Sequence, residues 1–275
     1  MGGALVSLVM PIYNCKPEYL QTSLSTLLAQ TYDNLEVILV IDSKNDGDVS
    51  SITHTLDAFK DDHRIRRIVR RGKTGYCSAL NEGIRISSGE FIARLDSDDY
   101  CDSTRIERQM DLLRSSRITL AGTWAHVVDE QEREIGQVRT PVSEKSVRDL
   151  IMFHNPFVHS SILFSKRAIE AIGPYNKAFE GAEDYEFYLR LVSKGYRCVN
   201  IPMLLTSLRE TRGSITRGSG WRRTRRNYLR AKFEAVTRLN YRRRLDIFFA
   251  IVSPVSILVT PTMSLHLKKA IGWYS

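Results

Sequence analysis

Three carboxylates within four residues are the part of this sequence best suited to chemistry. Asp96, Asp98 and Asp99 follow a short apolar run at residues 91–95, whose alternation is typical of a buried strand. Like charges crowded at the end of one strand are costly unless a positive group lies beside them. Divalent cations take oxygen ligands, and open α/β sheets bind ligands at the carboxyl ends of their strands. The stretch therefore predicts a metal or phosphate site.

An alternative role for these aspartates is to cap the helix that follows them. That role is weakened because this helix has a start signal of its own. Thr104, with Glu107 three residues later, fits a capping box, and Asp102 and Ser103 are also available as caps. The metal or phosphate interpretation is therefore the favoured one.

The elements that must position the aspartates alternate between strand and helix. Apolar runs predict buried strands at residues 5–12, 36–41 and, more weakly, 65–69. Helical spacing of apolar residues predicts helices at about 18–30, 49–59 and 76–86. This alternation predicts an α/β fold with a doubly wound, mostly parallel sheet.

Two polar features follow the second and third predicted strands. Asp42 ends the second strand, where an acidic residue can bind a ribose or a base edge. Its neighbours are strong turn formers, so a turn role fits equally well. Residues 72–75 (Gly-Lys-Thr-Gly) resemble a phosphate loop only superficially, because they lack the full spacing of the P-loop motif.

After the aspartates the same criteria predict a second series of elements. The predicted helices lie at 104–114, 143–153, 165–172 and 181–194, and the predicted strands at 118–128, 135–138, 162–164 and 196–205. The last helix opens with Glu183 and Asp184. Acidic residues in a first turn are ordinary partners of the helix dipole, but one of them could also act as a general base in a cleft. Spacing does not decide between these roles.

Composition limits the partners and the compartment. The chain has 275 residues and a net charge of +9, which favours an anionic partner such as nucleotide phosphates, nucleic acid or an anionic membrane. Its four cysteines are scattered without a CxxC pair, so neither a disulfide framework nor a zinc site is expected, and a reducing compartment is indicated. No signal-peptide pattern is present, so we expect a cytoplasmic protein.

A basic segment at 221–244 precedes a segment without charged residues at 247–265. The basic segment predicts an amphipathic helix, because apolar residues recur at helical spacing: Leu229, Phe233, Val236 and Leu239. The uncharged segment is short for a spanning helix and contains two prolines. Together they predict peripheral or monotopic attachment to an anionic membrane on its cytoplasmic face. The alternatives are that 247–265 packs as core, or that the arginines bind nucleic acid, although no nucleic-acid motif accompanies them.

In their order and spacing these motifs resemble those of family 2 glycosyltransferases with the GT-A fold. The resemblance covers roughly residues 6–216. Its segments are 6–14, 29–32, Asp42, Gly75 with 79–81, the Asp-Ser-Asp-Asp of 96–99, 155–161 and 173–184. It implies a glycosyltransferase domain at 1–220, with a nucleotide-binding half at 1–100 and an acceptor half at 101–220. The basic and apolar tail at 221–275 follows this domain.

The resemblance also implies roles for individual residues. Asp184 would be the catalytic base, and the metal ligands for Mg²⁺ or Mn²⁺ would be Asp96, Asp98 and Asp99. The implied nucleotide-sugar contacts are Pro11, Tyr13, Asn14, Asp42, Gly75, Asn81, Asp96, Arg209 and Arg212. The implied acceptor-side residues are His159 and Glu183.

The implied activity is inverting transfer of a sugar from a nucleotide-diphosphate sugar to a hydroxyl of a glycan or lipid-linked acceptor. It would serve the synthesis of a cell-surface polysaccharide or glycoconjugate. A carboxylate at Asp42 would accept the N3–H of uracil, so a UDP-sugar is the favoured donor. Two positions depart from the family pattern, because Ile41 replaces the first of two aspartates and Thr211 stands where many members have a histidine. These departures leave open a non-catalytic relative that only binds a nucleotide sugar. A nucleotidyltransferase would need a glycine-rich triphosphate loop near the N-terminus, and none is found there.

Overall fold

A computed structural model describes residues 3–43, 46–71, 75–211, 221–239, 241, 246–248 and 250. The strands are β1 (Val6–Ile12), β2 (Leu35–Ser43), β3 (Ile65–Arg71), β4 (Phe91–Arg94), β5 (Tyr100–Cys101), β6 (Leu120–Val128), β7 (Glu134–Val138), β8 (Leu163–Ser165) and β9 (Cys198–Arg209). The helices are α1 (Pro17–Leu28), α2 (Asp46–Leu56), α3 (Tyr76–Ile86), α4 (Arg105–Ser115), α5 (Glu144–Leu150), α6 (Lys166–Ile172), α7 (Glu183–Ser193) and α8 (Trp221–Arg238). The predicted alternation of strands and helices is confirmed.

The sheet is parallel on one side and mixed on the other. Its strand order is β3-β2-β1-β4-β8-β6-β9-β5, with β7 paired to β6. Strands β3, β2, β1 and β4 run parallel to one another. β8 is antiparallel to both β4 and β6, β7 is antiparallel to β6, and β9 is parallel to β6 but antiparallel to β5. The predicted mostly parallel sheet is therefore correct only for its first four strands, because a short apolar run does not reveal the direction of its partner.

Helices cover both faces of this sheet, which accounts for the continuous apolar runs of β1 and β2. On one face Leu8 of β1 shares a core cluster with Leu24 of α1 and Met110 of α4. On the other face Val9 shares a cluster with Leu80 of α3. Each of these side chains is at most 1% exposed. Burial of each contributes about 1.5–3 kcal/mol to stability, so the two clusters hold the sheet rigidly between the helices.

The register brings the carboxyl ends of β1, β2 and β4 to one edge of the sheet. Ile12 of β1 pairs with Ile41, one residue before Asp42. β4 pairs with the other side of β1 and ends two residues before Asp96. Because these strands are parallel, the segments that leave them lie side by side, and the predicted site is built at this edge.

The start of α4 differs from the sequence prediction. Thr104 is the N-cap residue, but its side chain makes no capping hydrogen bond, so the predicted capping box is wrong. Thr104 has helical backbone angles, whereas a capping side chain normally needs an extended residue. Asp102 instead accepts hydrogen bonds from both the backbone N–H and the hydroxyl of Thr104.

α8 packs on α7 through a face that the sequence predicted only in part. Ala231 and Ala235 are buried, and the ring of Tyr228 stacks on Tyr185 of α7 with the centroids 4.8 Å apart. Phe233, predicted to lie on the apolar face, is 67% exposed. Val236 and Leu239, both predicted for the apolar face, are partly buried against the same core cluster, and the two alanines let the helix axes approach closely.

The predicted membrane attachment concerns residues that lie largely outside the part of the chain that the structure describes. Within the described ranges, no helix is both long enough and apolar enough to cross a bilayer. Most of the predicted membrane-associating segment at 247–265 lies outside the described residues, as do several arginines of 221–244. The boundary at residue 220 and the membrane attachment therefore stay predictions.

Candidate active site

Asp99 points into the protein and anchors the loop that follows β4. It is 5% exposed, and it accepts hydrogen bonds from the backbone N–H of Arg209 (2.9 Å) and from the hydroxyl of Ser160. Burial, and then the neighbouring Asp98, raise the pKa of Asp99 well above its ordinary value. Asp99 thus links the loop to β9, and we infer that its role is structural.

Asp96 is held by three side chains around its carboxylate. Arg94 is 1% exposed and forms an ion pair with Asp96 Oδ1, and Tyr76 Oη donates a hydrogen bond of 3.1 Å to the same oxygen. The Ser160 hydroxyl lies 3.2 Å from Oδ2. Because a hydroxyl carries one hydrogen, Ser160 donates either to Asp96 or to Asp99. These contacts fix the orientation of Asp96 without a ligand.

Asp98 has a carboxylate with few protein partners. Among the described residues no other side chain donates a hydrogen bond to this carboxylate. Arg209 Nε donates to the backbone carbonyl of Asp98 at 3.1 Å. Burial, and then repulsion from Asp96, raise the pKa of Asp98 to about 6. A cation bound at this carboxylate would oppose both effects.

These carboxylates suit a cation that takes only part of its coordination shell from the protein. In the part of the chain that the structure describes, no three His, Cys, Asp or Glu side chains are arranged to hold a metal ion together. The metal-ligand roles predicted for Asp96, Asp98 and Asp99 stay predictions, and in this structure the carboxylate of Asp99 is turned inward. Mg²⁺ usually takes one or two carboxylates and completes its shell with waters and substrate phosphates. Asp96 and Asp98 fit that pattern.

Asp42 and Gly75 form a second part of the same edge. Asp42 is 3% exposed and accepts the backbone N–H of Gly75 at 3.0 Å. Gly75 has a φ of +93°, a conformation that residues with a Cβ rarely adopt, and it directly precedes α3. The hydrogen bond holds the start of α3 against the end of β2, so Asp42 positions a loop beside the site.

Asp184 lies in the first turn of α7 and is oriented by Asn155. Asn155 Nδ2 donates to Asp184 Oδ2 at 2.7 Å and also to the hydroxyl of Tyr228 in α8 at 3.4 Å. Burial raises the pKa of Asp184, and the hydrogen bond from Asn155 opposes that effect. A carboxylate with raised basicity in one fixed orientation suits proton removal from a substrate.

Glu183 is the more deeply buried partner of Asp184. It is 7% exposed and accepts a hydrogen bond from the backbone N–H of Gly181. Burial, and then the charge of Asp184, raise the pKa of Glu183 to about 7. Glu183 therefore holds the loop that precedes α7, and the choice of Asp184 as the base stays a prediction.

His159 and Asn81, both predicted for the site, form hydrogen bonds with Tyr175. His159 Nε2 lies 3.1 Å from the hydroxyl of Tyr175, and burial, followed by the charge of Arg94, holds the pKa of His159 well below its usual range. Asn81 uses both ends of its side-chain amide on the backbone of Tyr175, at 2.8 and 3.0 Å. Both side chains therefore fix the segment around Tyr175, which leads into α7.

Arg209 supports the aspartate loop from the end of β9. Its side chain is fully buried, lies 4.1 Å over the ring of Tyr19, and pairs with Glu132 at 2.7 Å. The nearby positive charge lowers the pKa of Asp98, against the effect of burial. Arg212, predicted to act with Arg209, lies outside the described residues.

The end of β1 completes the edge. Pro11 is buried, whereas Tyr13 is 43% exposed and Asn14 is exposed with a φ of +47°. Asparagine tolerates this left-handed conformation better than most residues do. The chain therefore turns sharply here and leaves two polar side chains accessible beside Asp42.

Three residues of the site had no role in the sequence interpretation. In the sequence, Arg94 is one residue of the predicted strand at 91–95, and Asn155 and Ser160 belong to the segment 155–161 that resembles the family. The available signal for Arg94 was a charge inside an otherwise apolar strand, because buried arginines are rare unless they are paired. No comparable signal marked Asn155 or Ser160.

Comparison with known proteins identifies the family. The family model described as "Glycosyl transferase family 2" matches residues 7–173, more than half of the chain. The chain belongs to glycosyltransferase family 2. The matched range contains Asp42, Gly75 and the aspartate loop of this glycosyltransferase, and it ends before α7, which carries Asp184.

Relatives of known sequence agree with this assignment. An uncharacterized glycosyltransferase of Haemophilus influenzae is 30% identical over 74% of this chain and 65% of its own length, so the chain spans a little under two thirds of that relative. The amylovoran biosynthesis glycosyltransferase AmsE of Erwinia amylovora is 28% identical over 84% of both chains. WfaP of Escherichia coli, a UDP-Glc:α-D-GlcNAc-diphosphoundecaprenol β-1,3-glucosyltransferase, is 28% identical over 77% of this chain and 80% of its own.

Solved structures show the same GT-A glycosyltransferase fold. Staphylococcus aureus TarS (residues 1–349), in complex with UDP-GlcNAc, superposes with a TM-score of 0.70 at 15% identity, covering 96% of this chain and 76% of TarS. The mannosyltransferase PcManGT of Pyrobaculum calidifontis, in complex with GDP-Man and Mn²⁺, gives a TM-score of 0.67 at 17% identity, covering 98% and 76%. At these identities the likeness concerns the fold alone.

Proposed function

We propose that this glycosyltransferase catalyses an inverting transfer from a nucleotide-diphosphate sugar to an acceptor hydroxyl. The observation that carries the proposal is a pair of separately held carboxylate centres beside one buried cation. Arg94 forms an ion pair with Asp96 in the first centre, and its charge opposes the rise that burial causes in the pKa of both Asp98 and Asp184. One centre suits the diphosphate end of a donor, and the other suits the attacking hydroxyl.

The chain's own residues divide the reaction between them. Asp98, with Asp96, would hold Mg²⁺ or Mn²⁺, which supplies charge neutralisation to the departing diphosphate when bound. Asp184 takes the proton of the acceptor hydroxyl while the new bond to the anomeric carbon forms and the bond to the diphosphate breaks. Asn155 keeps Asp184 aimed at that hydroxyl. A single displacement of this kind inverts the anomeric configuration and needs no covalent intermediate.

The proposed donor is a UDP-sugar. Asp42 lies where Gly75 begins α3, and its carboxylate only accepts hydrogen bonds, which matches the N3–H donor of a uracil. Tyr13 and Asn14 are accessible at the same edge for contact with the nucleotide. WfaP uses UDP-Glc and TarS binds UDP-GlcNAc, which supports uridine nucleotides, whereas PcManGT binds GDP-Man.

The proposed acceptor is a glycan or a lipid-linked sugar in cell-surface polysaccharide or glycoconjugate synthesis. Support comes from the names of AmsE, which serves amylovoran biosynthesis, and of WfaP, whose acceptor is linked to diphosphoundecaprenol. We propose that the enzyme acts in the cytoplasm at the membrane surface. The exposed arginines of α8 and the 67% exposed Phe233 supply cationic and apolar contacts for such a surface.

The test uses two variants and a panel of nucleotide sugars with and without Mg²⁺ or Mn²⁺. Asp98→Asn and Asp184→Asn should each lower turnover by about 10²–10⁴-fold, the range expected for loss of a catalytic proton acceptor or of charge stabilisation. Asp111→Asn, on the exposed face of α4, is the control and should retain activity. Near-normal turnover in both site variants would refute the assignment.

Two further readouts refine this test. The anomeric configuration of the product, read by NMR coupling constants, should be opposite to that of the donor, and retention would exclude the single displacement. Tight UDP binding without turnover on any acceptor would instead indicate a non-catalytic relative that binds a nucleotide sugar.

A further inference from the structure

A basic cleft lies between the turn at Lys177–Phe179 and α8, next to the first turn of α7. We name it the α8 cleft, and its volume is about 260 Å³. Its charged lining consists of Lys177, Glu180, Arg223, Arg226 and Arg230. Four cations and one carboxylate in one concave surface give it a strong positive potential, which attracts anions.

Part of this charge is already neutralised within the protein. Arg223 pairs with Glu180 at 3.0 Å, and Arg230 pairs with Glu234 at 3.2 Å. Lys177 and Arg226 have no side-chain hydrogen bond or ion pair with any described residue. Within the described part of the chain, the α8 cleft therefore presents two cations that no carboxylate pairs with. Two positive charges match a group that carries two negative charges.

The walls of the cleft are fixed by the protein. Asn227 donates a hydrogen bond of 2.9 Å to the backbone carbonyl of Glu180. The guanidinium of Arg230 lies 4.4 Å over the ring of Phe179 and donates to the carbonyl of Ala178 at 3.3 Å. Such contacts reduce the entropy that ligand binding would cost.

The cleft borders both halves of the active site. A Cβ added to Gly75, which Asp42 holds, would lie 3.1 Å from Glu180 Oε1. On the other side, Glu180 is followed four residues later by Asp184 in the first turn of α7. The α8 cleft therefore lies where α8 meets the segment that leads into α7, the helix that carries the proposed base.

We propose that the α8 cleft binds the diphosphate of a lipid-linked acceptor. This inference rests on the proposed function, and it names the acceptor class as a sugar joined to a lipid through a diphosphate diester. Such a diester carries two negative charges, one on each phosphate, which Lys177 and Arg226 neutralise. The sugar on one side of the diphosphate then extends towards Asp184, and the lipid on the other side leaves along the exposed surface of α8.

Binding of a defined probe tests this inference without turnover. The probe is the diester hexyl diphospho-N-acetylglucosamine, and its neutral counterpart is hexyl N-acetylglucosaminide. Affinities are measured by isothermal titration calorimetry with the full chain in EDTA, without a nucleotide sugar. The wild-type protein should bind the diester at least about tenfold more tightly than the neutral glycoside. Equal affinities would overturn the inference.

Variants locate the binding. The double variant Lys177→Gln with Arg226→Gln should bind the diester at least about tenfold more weakly, and its affinity for the neutral glycoside should be unchanged. Arg238→Gln is the matched control, because Arg238 belongs to the same helix but not to the cleft, and its side chain is 74% exposed. An equal loss in the control, or no loss in the double variant, would show that the cleft does not bind the diphosphate.

Three more outcomes distinguish this inference from membrane binding and from the proposed function. If the double variant loses binding to phosphatidylglycerol vesicles while the diester fails to compete, the cleft serves a lipid surface and the inference is overturned. If Asp98→Asn abolishes transfer but the double variant keeps wild-type affinity for the diester, only the cleft assignment fails. Persistent diester binding by a protein without transferase activity would leave the cleft assigned and refute the proposed function alone.

Discussion

Asn155 Nδ2 donates a hydrogen bond of 2.7 Å to Asp184 Oδ2 and a second one of 3.4 Å to the hydroxyl of Tyr228. The amide therefore connects the proposed base in α7 to α8. The rings of Tyr228 and Tyr185 stack beside it with a centroid distance of 4.8 Å. Through these contacts α8 contributes to the orientation of Asp184, although this helix lies far along the chain from Asp42 and Asp96.

Replacing Asn155 by alanine should reduce turnover most strongly at low pH. The hydrogen bond from Asn155 lowers the pKa of Asp184, which burial raises, so its loss moves that pKa further upward. The base acts only when it is deprotonated, so the acidic limb of the kcat profile should move to higher pH. Hydrogen bonds to charged groups contribute about 1.5–3 kcal/mol, so turnover on that limb should fall by at least about tenfold.

The control for this prediction is Tyr228→Phe. It removes the 3.4 Å contact but keeps the bond between Asn155 and Asp184, so its acidic limb should stay near the wild-type position. A loss in Asn155→Ala that is uniform across the pH range, with no movement of the limb, would contradict the effect of Asn155 on the pKa of Asp184.

Without divalent cations, the contribution of Asp98 to stability should decrease as the pH rises from about 4 towards 6. The pKa of Asp98 in the folded protein is about 6, above the value of 3.8 for the free side chain, so the folded state binds this proton more tightly than the unfolded chain does. The free energy of unfolding is therefore highest below the unfolded pKa and decreases as pH approaches the folded one. The difference corresponds to at most roughly 3 kcal/mol, and Asp99 acts in the same direction.

Thermal unfolding in EDTA between pH 4 and 7 measures this effect. Asp98→Asn removes the titrating group, so its Tm should depend less on pH and exceed the wild-type Tm at pH 7. Asp111→Asn, which is exposed on α4, should follow the wild-type curve. Identical curves for the wild-type protein and Asp98→Asn would show that the carboxylate is not destabilised in the folded state.

Local patterns predicted most elements of this fold but not their arrangement. The apolar run of β1 and the helical spacing of α3 are properties of neighbouring residues, and both elements were found where they were expected. The antiparallel placement of β8 between β4 and β6 depends on strands from three distant parts of the chain. No short-range pattern encodes such a pairing.

The same distinction holds at the site. Asp96 and Asp98 were recognised because they crowd together in sequence. Arg94 was missed because a charged residue in a strand is expected to face solvent, whereas its partners Asp96 and Tyr76 meet it only in the folded chain. The Ser160 hydroxyl likewise contacts the carboxylates of Asp96 and Asp99, which precede it in the chain by 64 and 61 residues. Long-range contacts of this kind are properties of the fold.

Substitutions on opposite faces of α8 should separate its packing from any surface contact. Ala235→Asp places a charge in the buried contact with α7 and should lower the free energy of unfolding by about 3–5 kcal/mol. Phe233→Ser changes a side chain that is 67% exposed, so stability should change by no more than about 0.5 kcal/mol. Urea unfolding measures both, and a stability loss in Phe233→Ser as large as in Ala235→Asp would contradict this orientation of the helix.

The outer face of α8 has a second readout. If it contacts the membrane as proposed, Phe233→Ser should reduce co-sedimentation with phosphatidylglycerol vesicles while its fold is retained. Full retention of vesicle binding by this variant would exclude Phe233 from the contact.

Gly75→Ala should weaken donor binding beyond its effect on stability. Gly75 has a φ of +93°, and an alanine in this conformation costs about 1–3 kcal/mol. Its Cβ would also lie 3.1 Å from Glu180 Oε1, so this side chain must shift slightly, and the strained φ at residue 75 acts on the hydrogen bond to Asp42. Gly195→Ala is the matched control, because its φ is +78° and no atom lies within 4 Å of the added Cβ.

Both variants should lose similar stability, but only Gly75→Ala should raise the KM for the nucleotide sugar, by about tenfold for each 1.4 kcal/mol lost from donor contacts. Equal KM values in the two variants would show that the link between Asp42 and Gly75 does not shape the donor site.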